Sequence, residues 1–336
     1  MKQTISVIGA GGKMGSRITD NLRNLPYTLN LCENADAAAK RVGDKGLNVS
    51  AAADVVPGSD FVIFAVPDAR MAAVTREVVP LMRKGAVAIL LDPAAAHNGE
   101  VALRKDCAFV VTHPCHPPLF GEQDSAEARK DFFDSIKANQ DIVVALHQGS
   151  DADYAAAEKV CREMFSPVVK AHRITVEQMA ILEPAAAEVV GAAAATLIRE
   201  AMDQAVAMGV PPEAARSFML GHTQIPLAIV FGEIGSPFSD AAKIAVKIGF
   251  EKAVNPAWKD VFKPEVIRST INRVLHPEAE KQPGRTRLIT CSLRPSRVRK
   301  APHRRLILAN SCPWEYARNH GPGQHPRPAE AQPIEL

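Results

Sequence analysis

Aromatic side chains are scarce: two Trp, three Tyr and twelve Phe make up 5% of the 336 residues. A core short of rings is filled by aliphatic side chains, and the abundant Ala favours helices that pack closely. Cysteine is also thin. Four of the six, Cys32, Cys107, Cys115 and Cys161, precede residue 283 and have neither the paired spacing of a metal site nor the density of a disulfide scaffold. That excludes a small secreted fold and fits a reducing compartment. No apolar signal core stands ahead of the first strand, so a cytoplasmic protein is expected. The most membrane-like stretch, residues 185–198, is interrupted by Glu188 and flanked by Glu183 and Arg199, short of a spanning segment. It reads as a buried helix, and no membrane partner is expected. A net positive charge is missing from most of the chain as well. Residues 283–336 carry ten Lys or Arg against three acids, so the formal charge of +3 comes from the end and the rest is slightly acidic. A nucleic-acid partner needs clustered cations and is not expected.

What is present is alternation. Apolar runs at residues 4–8, 28–32, 61–65, 86–91, 108–112 and 141–146 predict six strands, with helical material between most of them. This is the α/β pattern of a doubly wound parallel sheet, whose ligand crevice opens at the strand C-termini. GAGGKMG, residues 9–15, follows the first run and opens an amphipathic helix. Such a turn needs glycine where φ is positive, where the backbone approaches a pyrophosphate, and where helix meets strand. Gly9, Gly12 and Gly15 suit these places best, and Gly11, Lys13 and Met14 complete the cradle. Glu33 closes the second strand, where a carboxylate accepts hydrogen bonds from ribose hydroxyls and repels a 2′-phosphate. The prediction is an N-terminal Rossmann domain that prefers NAD to NADP, unless Arg41 reaches the ribose. FAVPD, residues 64–68, ends the third strand and sets Val66 and Pro67 along the nicotinamide side.

VVTHPCHPPLF, residues 110–120, places His113 and His116 after a strand and among three prolines that stiffen the loop. A lone histidine there reads as structural; two at the crevice edge point to acid–base chemistry or to a divalent cation. Cys115 between them reads as a packing residue, because oxidising an alcohol needs no thiolate. Beyond residue 150 the sequence predicts a helix at 151–165, an extended stretch at 168–174, a long helix at 176–208, and Pro-bounded helices at 211–221, 239–253 and 264–275. An all-helical C-terminal domain at 151–282, for substrate and dimer contacts, is therefore expected after an NAD-binding domain at 1–150. Its long Ala-rich helix suits close packing against a second copy, a homodimer. Glu183, in apolar surroundings, must be paired, protonated or bound to metal. His222 follows Gly221 at an expected helix end, where a capping role competes with a catalytic one. Glu177 and Asp240 read as acids at helix starts. From residue 283 periodicity gives way to Pro, Arg and His, the composition of a disordered tail.

The order of GAGGKMG, HPCHPPLF, HRITVEQMAILEP, LGHTQIP and FGEIGSPFSD resembles the phosphogluconate-dehydrogenase-like oxidoreductases over roughly residues 3–276, and within them the branch acting on branched sugar acids of the D-apionate type. The resemblance implies an NAD-dependent oxidation of a hydroxy acid coupled to a ketol rearrangement, an oxidoisomerase of carbohydrate metabolism with a small sugar-acid substrate. It has no counterpart for the tail. The wider hydroxyacid dehydrogenases place a catalytic lysine early on the long helix, and residues 176–208 contain none. Acid–base work then falls to His113, His116, Glu183 and His222, or to a metal-bound water with His113, His116 and Glu183 as ligands. The alternatives are an NAD-sensing regulator of the same fold, whose crevice would lack convergent ionisable groups, and a metallohydrolase, which would leave the glycine turn and Glu33 without a role.

Overall fold

The computed structural model describes residues 2–133 and 137–281; the tail expected to be disordered lies outside them. Seven strands form one sheet in the order β2-β1-β3-β4-β5-β6-β7. They are β1 (Gln3–Ile8), β2 (Tyr27–Cys32), β3 (Phe61–Phe64), β4 (Val87–Leu90), β5 (Ala108–Pro114), β6 (Gln140–Gln148) and β7 (Val168–Arg173). The first five are parallel, with Val7 lying between Leu31 and Ile63. The strand order reverses at β1, so a crevice opens beyond the C-termini of β1 and β3.

All six expected strands are present, and the sheet is mostly parallel. The sixth departs from the rule: β6 runs antiparallel to β5, with Val111 opposite Ala145. A parallel strand needs a crossover, and the link from β5 to β6 has only a short 3-10 turn at Ala128–Lys130 among its described residues. The extended stretch at 168–174 is β7, which pairs parallel to β6 and so carries the sheet beyond residue 150.

Six helices flank the strands: α1 (Lys13–Leu22), α2 (Asp36–Gly43), α3 (Ala52–Val55), α4 (Asp68–Val78), α5 (Ala94–His97) and α6 (Asp151–Met164). Alternate residues of each strand face opposite sides. Ile5, Val7, Ile63, Ile89 and Val110 pack with Ile18 and Leu22 of α1 and Val160 of α6. Ile8, Val62, Phe64, Leu90 and Val111 pack with Met71 and Val78 of α4. A capping box between Ser150 and Asp153 starts α6.

After β7 come α7 (Val176–Ala180), a π-helical stretch (Ile181–Ala192), α8 (Ala193–Ala207), α9 (Pro212–Val230), α10 (Asp240–Ala253) and α11 (Pro264–Leu275). Thr175 and Gln178 form the capping box of α7, with Glu177 in its first turn; Ser239 caps α10, with Asp240 in its first turn. Both acids stand at helix starts, as their positions predict. Ile267, Ile271 and Leu275, four residues apart, fold α11 back onto the core beside α4.

Two expectations are corrected. Residues 185–198 were expected to form a buried helix, yet only Pro184 and Ala185 are buried in the π-helical stretch and none in α8. Among the described residues one helix, Val176–Ala207, is long and apolar enough to cross a membrane by length and composition alone. The second correction is to α9, which runs through Gly221 and past Pro226 rather than ending at residue 221. His222 is therefore mid-helix, and its capping role disappears.

Candidate active site

The turn after β1 is built around two glycines that no other residue replaces. Gly9 has φ +84°, and a Cβ there would lie 2.5 Å from the Ala65 carbonyl oxygen; one on Gly15 would lie 2.1 Å from the Gly9 oxygen. Gly12 is the N-cap of α1 and offers no side chain to the first-turn N–H groups, which leaves them for an anion. Lys13 opens the helix with its ammonium 3.6 Å from the centre of the Phe133 ring. Met14, half-buried, packs against the core.

Glu33 is already turned toward the turn. Its Oε2 accepts from the Gly11 N–H at 3.1 Å, and its Oε1 accepts from the N–H groups of Asn34 and Ala35 at 3.0 and 3.1 Å. Arg41 holds the same peptide from the other end, donating from Nε and Nη2 to the Gly11 carbonyl at 3.1 and 2.8 Å. A cavity of about 210 Å³ is lined by Gly9, Glu33, Asn34, Val66 and Glu77, and one of about 470 Å³ by Gly11, Gly12, Lys13, Ser16, Arg17 and Arg41. These features fit a dinucleotide: a carboxylate beside the ribose position, cations beside the phosphates, and Val66 and Pro67 leading into α4.

Beyond Pro67 the crevice becomes acidic. Asp68 at the start of α4, Asp92 just after β4, and Glu183 and Glu188 of the π-helical stretch act on one another, and His113 at the end of β5 faces Asp68 and Glu188. Burial and neighbouring carboxylates push Asp68 up to about 7 and Glu183 up to about 9; burial, opposed by the Ala94 N–H and helped by Glu188, takes Asp92 to about 6. Glu188 is among the carboxylates that raise Glu183, so the neutral acid form of Glu183 is favoured near pH 7.

His113 is fixed in one tautomer. The Leu91 carbonyl 2.9 Å from its Nδ1 can only accept, so Nδ1 carries the proton and Nε2 keeps a lone pair. Burial lowers its pKa, against the pull of that bond and of Asp68 and Glu188. His116 follows in a left-handed conformation at φ 61°. Its ring stacks on Phe133 at 5.0 Å and meets His113 edge-on at 6.0 Å. Burial, then His113 and Arg17, bring it down to about 4, so it too is neutral. Cys115 is exposed, so the packing role expected for it is not what the structure shows; its thiol is pushed up to about 11 by its surroundings and by Asp141, which disfavours the thiolate that nucleophilic attack needs.

His113 and Glu183 thus both act on Asp68 and Glu188, with His116 beside His113, but no group of three or more His, Cys, Asp or Glu among the described residues is arranged to hold a metal ion. His222 is elsewhere: exposed on α9, stacked on Phe218 at 3.7 Å, with its Nδ1–H donated to the Phe218 carbonyl at 3.0 Å. Sequence reasoning missed Asp68, Asp92 and Glu188. The first two were visible as acids directly after apolar strands. Glu188 was not, because residues five apart are about 140° apart around an α-helix and come toward one face only in a π-helix.

Residues 1–119 match the acetohydroxy acid isomeroreductase NADPH-binding domain family, and residues 121–275 match the phosphogluconate dehydrogenase (decarboxylating) C-terminal family. A D-apionate oxidoisomerase from Rhizobium rhizogenes is 39% identical over 80% of this chain and 98% of its own length. Another from Pectobacterium atrosepticum is 40% identical over 82% of this chain and 97% of its own. The crystal structure of a semialdehyde dehydrogenase NAD-binding protein from Cupriavidus necator, in complex with calcium and NAD, superposes with a TM-score of 0.79 at 38% identity, covering 82% of this chain and all of the other. With the glycine turn, Glu33 and the histidine loop in their expected places, the chain belongs to the D-apionate oxidoisomerase family of NAD-binding oxidoreductases.

Proposed function

We propose that the protein oxidises the C2 hydroxyl of a branched sugar acid of the D-apionate type and then moves a hydroxymethyl group from C3 to C2, as a homodimeric enzyme of the cytoplasm. One observation supports this above the others. A neutral imidazole with a free Nε2, His113, and a carboxyl that keeps its proton, Glu183, share the crevice beside Val66 and Pro67. A regulator that only senses NAD has no need of such a pair.

NAD, when bound, takes the C2 hydride. The turn at residues 9–15 and Lys13 would hold its phosphates, and Glu33 its ribose. Loss of the hydride requires a base for the hydroxyl proton, and His113 Nε2 is that base. The imidazolium so formed is favoured by the charges of Asp68 and Glu188, which oppose the effect of burial. The ketol shift then needs the C3 hydroxyl deprotonated while the C2 oxygen gains a proton. Asp68, at about 7, changes protonation state near neutrality and accepts the first; Glu183, at about 9, donates the second. The C3–CH2OH bond breaks as the C2–CH2OH bond forms, and the C3 hydroxyl becomes a carbonyl. His116, neutral and held against Phe133, positions the substrate beside His113.

These proton transfers need no cation. The separate reading, in which His113, His116 and Glu183 ligate a divalent ion, makes a different forecast for a chelator. Straight-chain aldonates and branched sugar acids are screened with NAD for NADH formation, with and without EDTA. Turnover of the branched acid that EDTA leaves unchanged is the expected result. Turnover abolished by EDTA and restored by a divalent salt would transfer the proton chemistry to a metal-bound water. NAD binding without oxidation of any sugar acid would favour the regulator.

A further inference from the structure

The connection from β5 to β6 carries its own hydrogen bonds. Gln123 closes its neck, donating from Nε2 to the Asn139 carbonyl at 3.0 Å and accepting from the Asn139 N–H at 2.7 Å. The Ser125 hydroxyl accepts from the Ala128 N–H at 3.0 Å, and the Asp131 carboxylate from the Lys137 N–H at 2.9 Å. Within the last of these spans Phe132 and Phe133 stand 76% and 49% exposed, and Phe133 belongs to neither core cluster. Exposed rings are common on protein surfaces, so exposure alone assigns nothing. What singles out Phe133 is what lies on its ring.

The Lys13 ammonium is 3.6 Å from the ring centre, and the His116 imidazole stacks on the same ring at 5.0 Å and 22°. These two groups come from different parts of the crevice. Lys13 is the first residue of α1, next to the Gly12 cap whose neighbouring N–H groups are open to an anion, whereas His116 meets His113 edge-on at 6.0 Å. Lys13 is also felt at the histidine: burial lowers the His116 pKa, and His113, Arg17 and Lys13 lower it further. One exposed ring thus joins the cofactor's cation to the substrate's histidine.

His116 needs such a hold. Its φ of 61° lies in the left-handed region, which a residue with a Cβ occupies at a cost, and its Nδ1 is buried without a hydrogen-bond partner. Both features are unfavourable locally, and the stack on Phe133 helps to offset them. Lys13, by contrast, stands on a flexible four-carbon stem, and a cation over a ring face in water is a weak tether. A pyrophosphate at the glycine turn holds an ammonium far more firmly, and the three donors of Lys13 let it meet the phosphate while one side stays on the ring. A fixed ammonium orders Phe133, and an ordered Phe133 orders His116. The second ligand then finds its histidine already in place.

We infer that Phe133 is a positioning residue that couples the two ligands: NAD, held through Lys13, fixes Phe133 and through it His116, and so raises the affinity of the crevice for the sugar acid. The identity of that acid rests on the proposed function; the link from the glycine turn to His116 does not.

ADP-ribose tests it, because it carries the pyrophosphate and both riboses but no nicotinamide to touch the substrate site directly. In protein labelled with 13C-histidine, the Cε1–H resonance of His116 is assigned by its loss in His116→Asn. It is expected to shift when ADP-ribose saturates the native protein, and to stay in place in Phe133→Leu and in Lys13→Met, each brought to saturation. Calorimetry is expected to show D-apionate binding about tenfold more tightly with ADP-ribose than without it, a factor that falls to about one in Phe133→Leu and returns in Phe133→Tyr. In turnover, Phe133→Leu should raise KM for the acid about tenfold with kcat within about threefold. A ring that only steadied the fold would lower the melting temperature and leave the coupling factor intact. A His116 resonance indifferent to ADP-ribose in the native protein, one that shifts equally in both variants, or a coupling factor unchanged by Phe133→Leu would each overturn the inference. D-apionate that binds in neither condition, with the His116 shift present in the native protein and lost in the variants, would refute the sugar-acid reading and uphold the link.

Discussion

At Glu33, the proposed ribose contact, one carboxylate is already aligned by three backbone N–H groups. Glu33→Ala should erode the preference for NAD, measured by titrating NADH and NADPH against protein fluorescence. Equal or tighter NADPH binding by the unchanged protein would contradict this assignment. With His113 as the proposed base, His113→Asn should lower kcat by about two to four orders of magnitude while NAD affinity survives, the pattern of a group that acts on the proton and not the cofactor. His116→Asn is expected to weaken substrate binding and turnover together. Glu183 sets a pH limit. Turnover needs it protonated, so kcat should fall as pH rises through about 9, and Glu183→Gln should remove that limb. The same shift has a stability consequence. Its folded pKa lies above the unfolded value, so the native state holds more protons between about 4.5 and about 9, and stability declines as pH rises through that window. Glu183→Gln should therefore raise the melting temperature at pH 8 and do little at pH 4.

Among the elements, the glycine turn tolerates least. Gly15→Ala puts a methyl group 2.1 Å from a fixed backbone oxygen, so cofactor binding should be lost, as read by the same titration. Ser150→Ala removes one half of the box that starts α6 and should cost about 1 kcal/mol in denaturant unfolding, with cofactor binding unchanged. These elements were legible in the sequence because their signals are local. A β-branched run, a glycine turn and an acid at the next strand end specify β1, α1 and β2 without reference to the rest of the chain. The antiparallel direction of β6 was not legible, since strand direction depends on the path of the preceding loop and not on the apolar pattern of residues 141–146. The acid cluster was legible in part. Asp68 and Asp92 stand where any crevice acid stands, after β3 and β4, but the pairing of Glu183 with Glu188 follows from a π-helical winding around Pro184 that an α-helical period conceals. The exposure of α8 had the opposite cause: an apolar sequence says that a face is covered, not by which chain.

For the whole molecule, the relatives align with about four-fifths of this chain while being nearly fully covered themselves, and the matched family regions end at residue 275. A chain ending at residue 282 should keep its melting temperature and turnover; a large loss in either would show that the catalytic body depends on the tail. In the proposed mechanism β5 supplies His113, the start of α4 supplies Asp68 and the π-helical stretch supplies Glu183, so oxidation and rearrangement draw on one set of groups. That joint action is the central claim, and carbon NMR of the product tests it most directly. D-apionate labelled with 13C in its hydroxymethyl carbons is converted with NAD to completion. The account predicts one NADH per substrate and a product in which a labelled hydroxymethyl carbon is bonded to C2, with a carbonyl at C3. NADH formation with an unrearranged 2-oxo acid, or no NADH at all, would contradict it.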